Sequence, residues 1–173
     1  MLTYREYLDY AERSLLDAQR DEQDFRWLLI PATTLAWSAI ESFVNNMLDD
    51  FASLDEGIFE LHERAFLLEK KLRFVDHGEN IGNFILEGRE YRKLNDKIFF
   101  LISKCGGRDT KNVKGRTLWQ EFQVFKDIRD TLVHPRRGKE ISITTEMVEA
   151  FIETSKLIIQ LISRNVWKKE VSF

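Results

Sequence analysis

The stretch Thr117-Leu118-Trp119-Gln120-Glu121-Phe122-Gln123-Val124-Phe125-Lys126-Asp127-Ile128-Arg129-Asp130-Thr131-Leu132-Val133-His134-Pro135 decides the fold. Leu118, Phe122, Phe125, Ile128 and Leu132 recur every three or four residues, which makes one apolar stripe on a helix and scatters over both faces of a strand. Thr117 and Gln120 have the spacing of a capping box, so the helix is expected to open there. Pro135 disfavours helical geometry at His134, so the helix should end at that point.

The same periodicity extends in both directions. A first helix opens with the capping pair Thr3 and Glu6 and carries Tyr4, Tyr7, Leu8, Ala11, Leu15 and Ala18 on one stripe. A second runs to about Phe51 with Ala36, Ile40, Phe43, Met47 and Phe51 on one face. Pro31 either sits in its first turn or kinks a longer helix that begins near Asp24. A third carries Leu61, Ala65, Leu68, Leu72 and Val75 and ends near Gly78; a fourth carries Tyr91, Leu94, Ile98, Leu101 and Cys105 and stops at Gly106-Gly107. The quoted stretch is the fifth, and a sixth spans about Thr145 to Lys169. No segment reads as a clear strand, although Glu140 to Ile143 could be a short extended piece. The expectation is an all-α, antiparallel bundle of five to six helices in a single domain, residues 1–173.

Composition agrees with that reading. Apolar residues make up 43% of 173, with 13 Phe and 4 Trp, enough for one aromatic-rich core. Only 8 Gly and 2 Pro interrupt the chain. Met1 to Arg20 mixes charged and apolar residues and lacks the apolar run of a signal peptide. The apolar stretch Trp27 to Trp37 falls short of the ~20 residues a membrane crossing needs. The one cysteine, Cys105, cannot form an internal disulfide, and no Cys/His cluster has zinc spacing. A cytoplasmic chain with no membrane partner, no cofactor and no metal is expected. The sixth helix is apolar on more than one side, through Leu157, Ile158, Ile159, Leu161, Ile162, Val166 and Trp167. That pattern suits a core position that also touches a dimer partner.

The net charge of −3 conceals a split. Between Lys104 and Lys139, ten basic residues stand against four acids, so this segment carries +6 and the remainder −9. A polyanionic partner and an ordinary basic surface loop both fit. Arg129 and His134 lie roughly 7.5 Å apart along the helix axis, close enough for a long Arg side chain to bring both heads to one phosphate. A guanidinium grips phosphate oxygens through two donors, and an imidazole moves protons near neutral pH. Taken singly, Arg129 also reads as a stem lying over the core and His134 as a cap on the last carbonyls. Glu41, set among apolar neighbours, needs a partner if buried, and Arg129 is the candidate. Asn45 repeats that position one turn later. Trp119 offers a ring to stack on a base, or a core position at the start of an amphipathic helix.

Taken together, Arg129-Asp130 to His134 resembles the Arg, polar residue, three residues, His signature of HEPN domains. The resemblance extends to Ala36-Trp37-Ser38-Ala39-Ile40-Glu41-Ser42-Phe43-Val44-Asn45, to Leu67-Leu68-Glu69-Lys70-Lys71-Leu72 and to Phe125 through Pro135, and spans about Ala32 to Lys169. It implies an all-helical bundle of the kind found in prokaryotic toxins, defence proteins and RNA-processing enzymes. It also implies a homodimeric endoribonuclease in which Arg129 and His134 are catalytic and two copies of the motif face each other across the dimer axis. By the same resemblance Asp130 orients Arg129 or His134, and Glu41 neighbours the site; taken singly, Asp130 also reads as a solvated helix carboxylate and Glu41 as a rim carboxylate facing water. Metal-free RNA cleavage needs one base and one acid, and His62 and His77 have no Arg at motif spacing. One chain therefore offers one good candidate, and a two-fold dimer supplies the second. Lys126, Arg136, Arg137 and Lys139 would hold the RNA backbone without reading sequence. The expected partners are RNA, a second copy, and an antitoxin or other regulatory protein. Two rivals remain: a HEPN-like interaction or nucleotide-binding module without activity, and a helical scaffold in a larger complex. No Gly-rich phosphate loop, Gly-x-Ser-x-Gly elbow or two-His metal motif points elsewhere.

Overall fold

The 3/4 spacing of apolar residues becomes helix in most of the places where it occurs. The computed structural model describes residues 2–20, 26–55, 57–107, 110–135 and 142–173. They form α1 (Tyr4–Arg20), α2 (Arg26–Ala52), α3 (Leu61–Leu67), β1 (Lys70–Phe74), β2 (Phe84–Arg89), α4 (Leu94–Phe100), a π-helical turn (Leu101–Cys105), the single-turn α5 (Lys111–Lys114), α6 (Thr117–Val133) and α7 (Thr145–Val166). Among the described residues the fold is all-α apart from one two-stranded hairpin. Met1–Phe43 with Phe100–Phe173 makes one compact unit, and Val44–Phe99 makes a second.

In the first unit, α1 opens with the expected capping box. The Thr3 N–H donates to Glu6 Oε2 at 2.7 Å, and the Glu6 N–H donates to Thr3 Oγ1 at 3.3 Å. Its stripe of Leu8, Ala11, Leu15 and Ala18 is buried. Lys156 of α7 bridges to Glu12 of α1 at 2.8 Å, and Gln19 donates to Glu149 at 2.6 Å. The core is centred on α7, where Ile158, Ile159 and Ile162 are fully buried. Only Leu157 and Trp167 are left as exposed large apolar groups on or next to that helix. Phe122 of α6 stacks parallel on Trp37 of α2 at 5.2 Å and leans on Trp119 at 5.0 Å. Burial of that aromatic cluster contributes several kcal/mol to folding.

The π-helical turn closes with the Gly106 N–H bonded to the Leu101 carbonyl at 2.9 Å. A Cβ on Gly106 would come within 2.6 Å of the Ile102 carbonyl oxygen and 2.9 Å of that of Asn165. Glycine is required here because the end of α7 approaches the backbone directly.

The second unit corrects the sequence reading. The third helix stops at Leu67 and does not reach Gly78; Leu72 and Val75 belong to a hairpin. Glu69 takes φ +49, which breaks the helix, and its carboxylate is gripped from far along the chain. Lys97 Nζ lies 2.7 Å from Glu69 Oε1, and the Arg92 N–H donates to the same oxygen at 3.3 Å. Burial pushes the Glu69 carboxyl up, but these bonds and charges together outweigh it and hold it below the usual range. The hairpin register pairs Lys70 with Arg89, Lys71 with Glu87, Leu72 with Leu86, Arg73 with Ile85 and Phe74 with Phe84.

Smaller corrections follow the same logic. Tyr91 lies before α4 and is 78% exposed. The cap of α6 is Arg116, one residue earlier than expected, and no side chain caps it, so the Thr117–Gln120 box does not form. α7 ends at Val166, with Thr144 as its cap accepting from the Met147 N–H. Pro31 is inside the described part of α2; Asp24, the alternative start, lies outside the described residues. Of the segment Glu140 to Ile143, only Ser142 and Ile143 are described, and they are not a strand. From Trp27 to Ala52 α2 is long and apolar enough to cross a membrane, and 56% of its most apolar window is buried inside the protein, as in a core helix.

Candidate functional site

Arg129 and Asp130 sit on the last full turn of α6, and His134 is the residue that ends it. The Arg129 side chain is 23% exposed and its guanidinium is engaged on three sides. Nη1 donates to Asp130 Oδ1 at 3.0 Å. Nη2 stands 3.9 Å from Glu41 Oε1 of α2. The guanidinium carbon lies 5.5 Å from the centre of the Trp37 ring, within cation–π range. Its Nε is buried with no hydrogen-bond partner among the described residues.

Asp130 is shared. Its Oδ2 accepts from Lys126 Nζ at 2.9 Å, one helical turn back. Burial pushes the Asp130 carboxyl up, while the Lys126 and Arg129 bonds and charges together hold it below the usual range. The Asp130 carboxylate in turn raises the Lys126 ammonium above its ordinary value, against the effect of burial. Two cations, Lys126 and Arg129, thus face the carboxylates of Glu41 and Asp130, and Lys126 also lies 3.8 Å from Asp127 Oδ1.

His134 is placed differently. Pro135 follows it, and its own backbone takes φ −126° and ψ 69°, outside the helix. Its N–H still donates to the Asp130 carbonyl at 2.9 Å. The residue is exposed, and among the described residues its imidazole makes no hydrogen bond or ion pair. The Arg129 guanidinium therefore lies against α2, while the imidazole stands at the open end of α6. Of the proposed RNA track, Lys126 is in the cluster; Arg136, Arg137 and Lys139 lie outside the described residues.

The suspected neighbour of Arg129 is Glu41, but the pair is supported by a residue that sequence reasoning left out. The Trp37 indole N–H donates to Glu41 Oε1 at 2.8 Å, and Trp37 is itself 4% exposed and stacked on Phe122. The i, i+4 spacing of Trp37 and Glu41 was the available signal. Asn45 serves elsewhere, accepting from Lys97 Nζ at 2.9 Å within the second unit. Trp119 is 7% exposed and packed on Phe122, so it is a core residue. As for metal ligands, Glu60, His62 and Glu63 in the second unit bring their ligand atoms within 4.8 Å of one another. Glu63 there already accepts the Glu60 N–H at 3.0 Å.

Compared with family models, curated proteins and solved structures, the chain matches none of them.

Proposed function

We propose that the chain is a HEPN-type endoribonuclease that works as a homodimer without metal, in a toxin, defence or RNA-processing role. The observation that carries the reading is the pairing, on one helix end, of an oriented guanidinium with an exposed imidazole five residues later. Asp130 and the Trp37 ring hold the guanidinium, which lowers the entropic cost of gripping a phosphate. The exposed imidazole is the proposed proton carrier.

In the proposed reaction His134 takes the proton of a ribose 2′-hydroxyl. The 2′-oxygen bonds to phosphorus, and the bond from phosphorus to the 5′-oxygen breaks. The partner subunit's His134 protonates that leaving oxygen. Arg129 turns from Glu41 to the non-bridging phosphate oxygens, where negative charge builds up. The long 3.9 Å pair with Glu41 is the weaker of its two ionic contacts and the one exchanged for substrate. Purified protein in excess chelator should cut RNA, while His134→Ala and Arg129→Ala should each lose at least about a hundredfold in rate. Each variant is checked for unchanged subunit number. Undiminished cutting by either variant removes the proposal.

The carboxylates around Arg129 favour one other reading. A guanidinium already shared by two carboxylates also suits a HEPN-like interaction or nucleotide-binding module with no chemistry of its own. That reading gains if neither the parent nor His134→Ala cuts any RNA.

A further inference from the structure

The hairpin of the second unit carries an apolar face that is largely uncovered among the described residues, with Leu86 alone half-buried. Alternation along each strand places Phe74, Phe84, Leu72 and Leu86 together on one face, in two cross-strand pairs. The other face carries Arg73, Ile85, Lys71 and Glu87, and Arg73 pairs with Glu87 at 2.7 Å. Phe74 and Phe84 meet edge to face at 5.3 Å, yet they remain 52% and 55% exposed, and Leu72 40%. A two-stranded hairpin with one wet apolar face is marginal by itself, and apolar patches of this kind mark contact surfaces.

Charge along the hairpin says what fits there. At the base, Lys70 lies across from Arg89. The acids near that end are already committed: Glu87 to Arg73, Glu69 to Lys97 and Glu90 to Arg92. Beyond Phe74 the turn carries exposed Asp76 and Glu79, with His77 bonded to Asp76 as the only titratable cation candidate among them. The surface is thus positive at one end, apolar in the middle and negative at the other. Turned end for end, it complements itself. A polyanion would meet the carboxylates of the turn, and a partner of a single charge sign would satisfy one end only.

We propose that this face docks on the same face of a second copy of the chain, with the two hairpins antiparallel about a two-fold axis and the base of each over the turn of the other. The contact is small for a standard interface, so the dimer should dissociate in the micromolar range. This inference does not rest on RNA cleavage; it makes the hairpin face the contact that holds the two copies of the proposed homodimer together.

Sedimentation velocity of the full chain over a range of concentrations tests it. The parent should dimerise. Phe74→Glu with Phe84→Glu should sediment as a monomer with unchanged helical circular dichroism. Two charge-reversed chains separate this contact from any other. Lys70→Glu with Arg89→Glu makes both ends negative; Asp76→Lys with Glu79→Lys makes both positive. Each alone should dimerise about tenfold more weakly than the parent, and an equal mixture should recover parent-like association, because only the mixed pair opposes unlike charges at both ends. A parent that stays monomeric, a dimer that survives the two Phe changes, or reversed chains that fail to recover on mixing would each overturn the proposal. So would hairpin variants that stay dimeric but lose affinity for RNA. Survival of the dimer after the Phe changes would leave the nuclease reading untouched, since that reading is tested by His134.

Discussion

At the scale of single residues, the site is a balance of charges around Arg129. Glu41 stands 3.9 Å from the guanidinium, and its carboxylate is half exposed, so water screens much of the attraction. Glu41→Gln removes the competing charge while keeping an oxygen for the Trp37 indole. Affinity of the protein for single-stranded RNA should rise by a factor of about two to five, measured by fluorescence anisotropy. An unchanged or lowered affinity would mean that Arg129 does not exchange partners. Asp130 gives a second test. Its carboxyl is held below its ordinary value in the folded state, so it adds stability above the unfolded value of about 3.9, and that contribution fades as pH falls through the lower folded value. Asp130→Asn should therefore lower stability at neutral pH and flatten the loss of stability as pH falls below about 4 in urea titrations. The role of Trp37 was not legible in advance. Its spacing to Glu41 is visible in the sequence, but the direction of an indole N–H depends on Phe122 stacking beneath it.

At the scale of elements, helices were readable where a stripe is long. Leu118 through Leu132 spans more than three turns, and no strand reproduces that spacing. The segment from Leu61 to Val75 was misleading for a definite reason. Leu61, Ala65, Leu68, Leu72 and Val75 keep helical spacing across the break at Leu67. What ends the helix is Glu69, held by Lys97 and Arg92 from more than twenty residues downstream, a tertiary contact with no local signature. Gly106 closes the π-helical turn where the end of α7 leaves no room for a side chain. Gly106→Ala puts a methyl group within 2.6 Å of one backbone oxygen and 2.9 Å of another, neither able to swing aside. We expect a loss of roughly 1–3 kcal/mol in chemical denaturation. A neutral result would show that α7 can shift away from residue 106.

At the scale of the whole molecule, the sequence shows a charge split that no single contact explains. The segment from Lys104 to Lys139 carries a net +6 in a chain of net −3. If it tracks an RNA backbone, log affinity should fall linearly with log salt, and Arg136→Gln with Arg137→Gln should reduce the slope by about 0.7 per charge. A slope unaffected by both changes would assign the basic segment another role. The all-α character was legible from periodicity and from the scarcity of Gly and Pro. The division into two compact units was not, because α2 runs unbroken from Arg26 to Ala52 through the residue where they meet.

The chemistry of the cut ends tests the central claim most directly. RNA cleaved by the purified protein in excess chelator should carry 5′-hydroxyl ends, which accept phosphate from a polynucleotide kinase without prior treatment, and 2′,3′-cyclic phosphates at the other side. Fragments that carry 5′-phosphates, or cleavage that appears only when a divalent metal is supplied, would contradict a reaction run by His134 and Arg129.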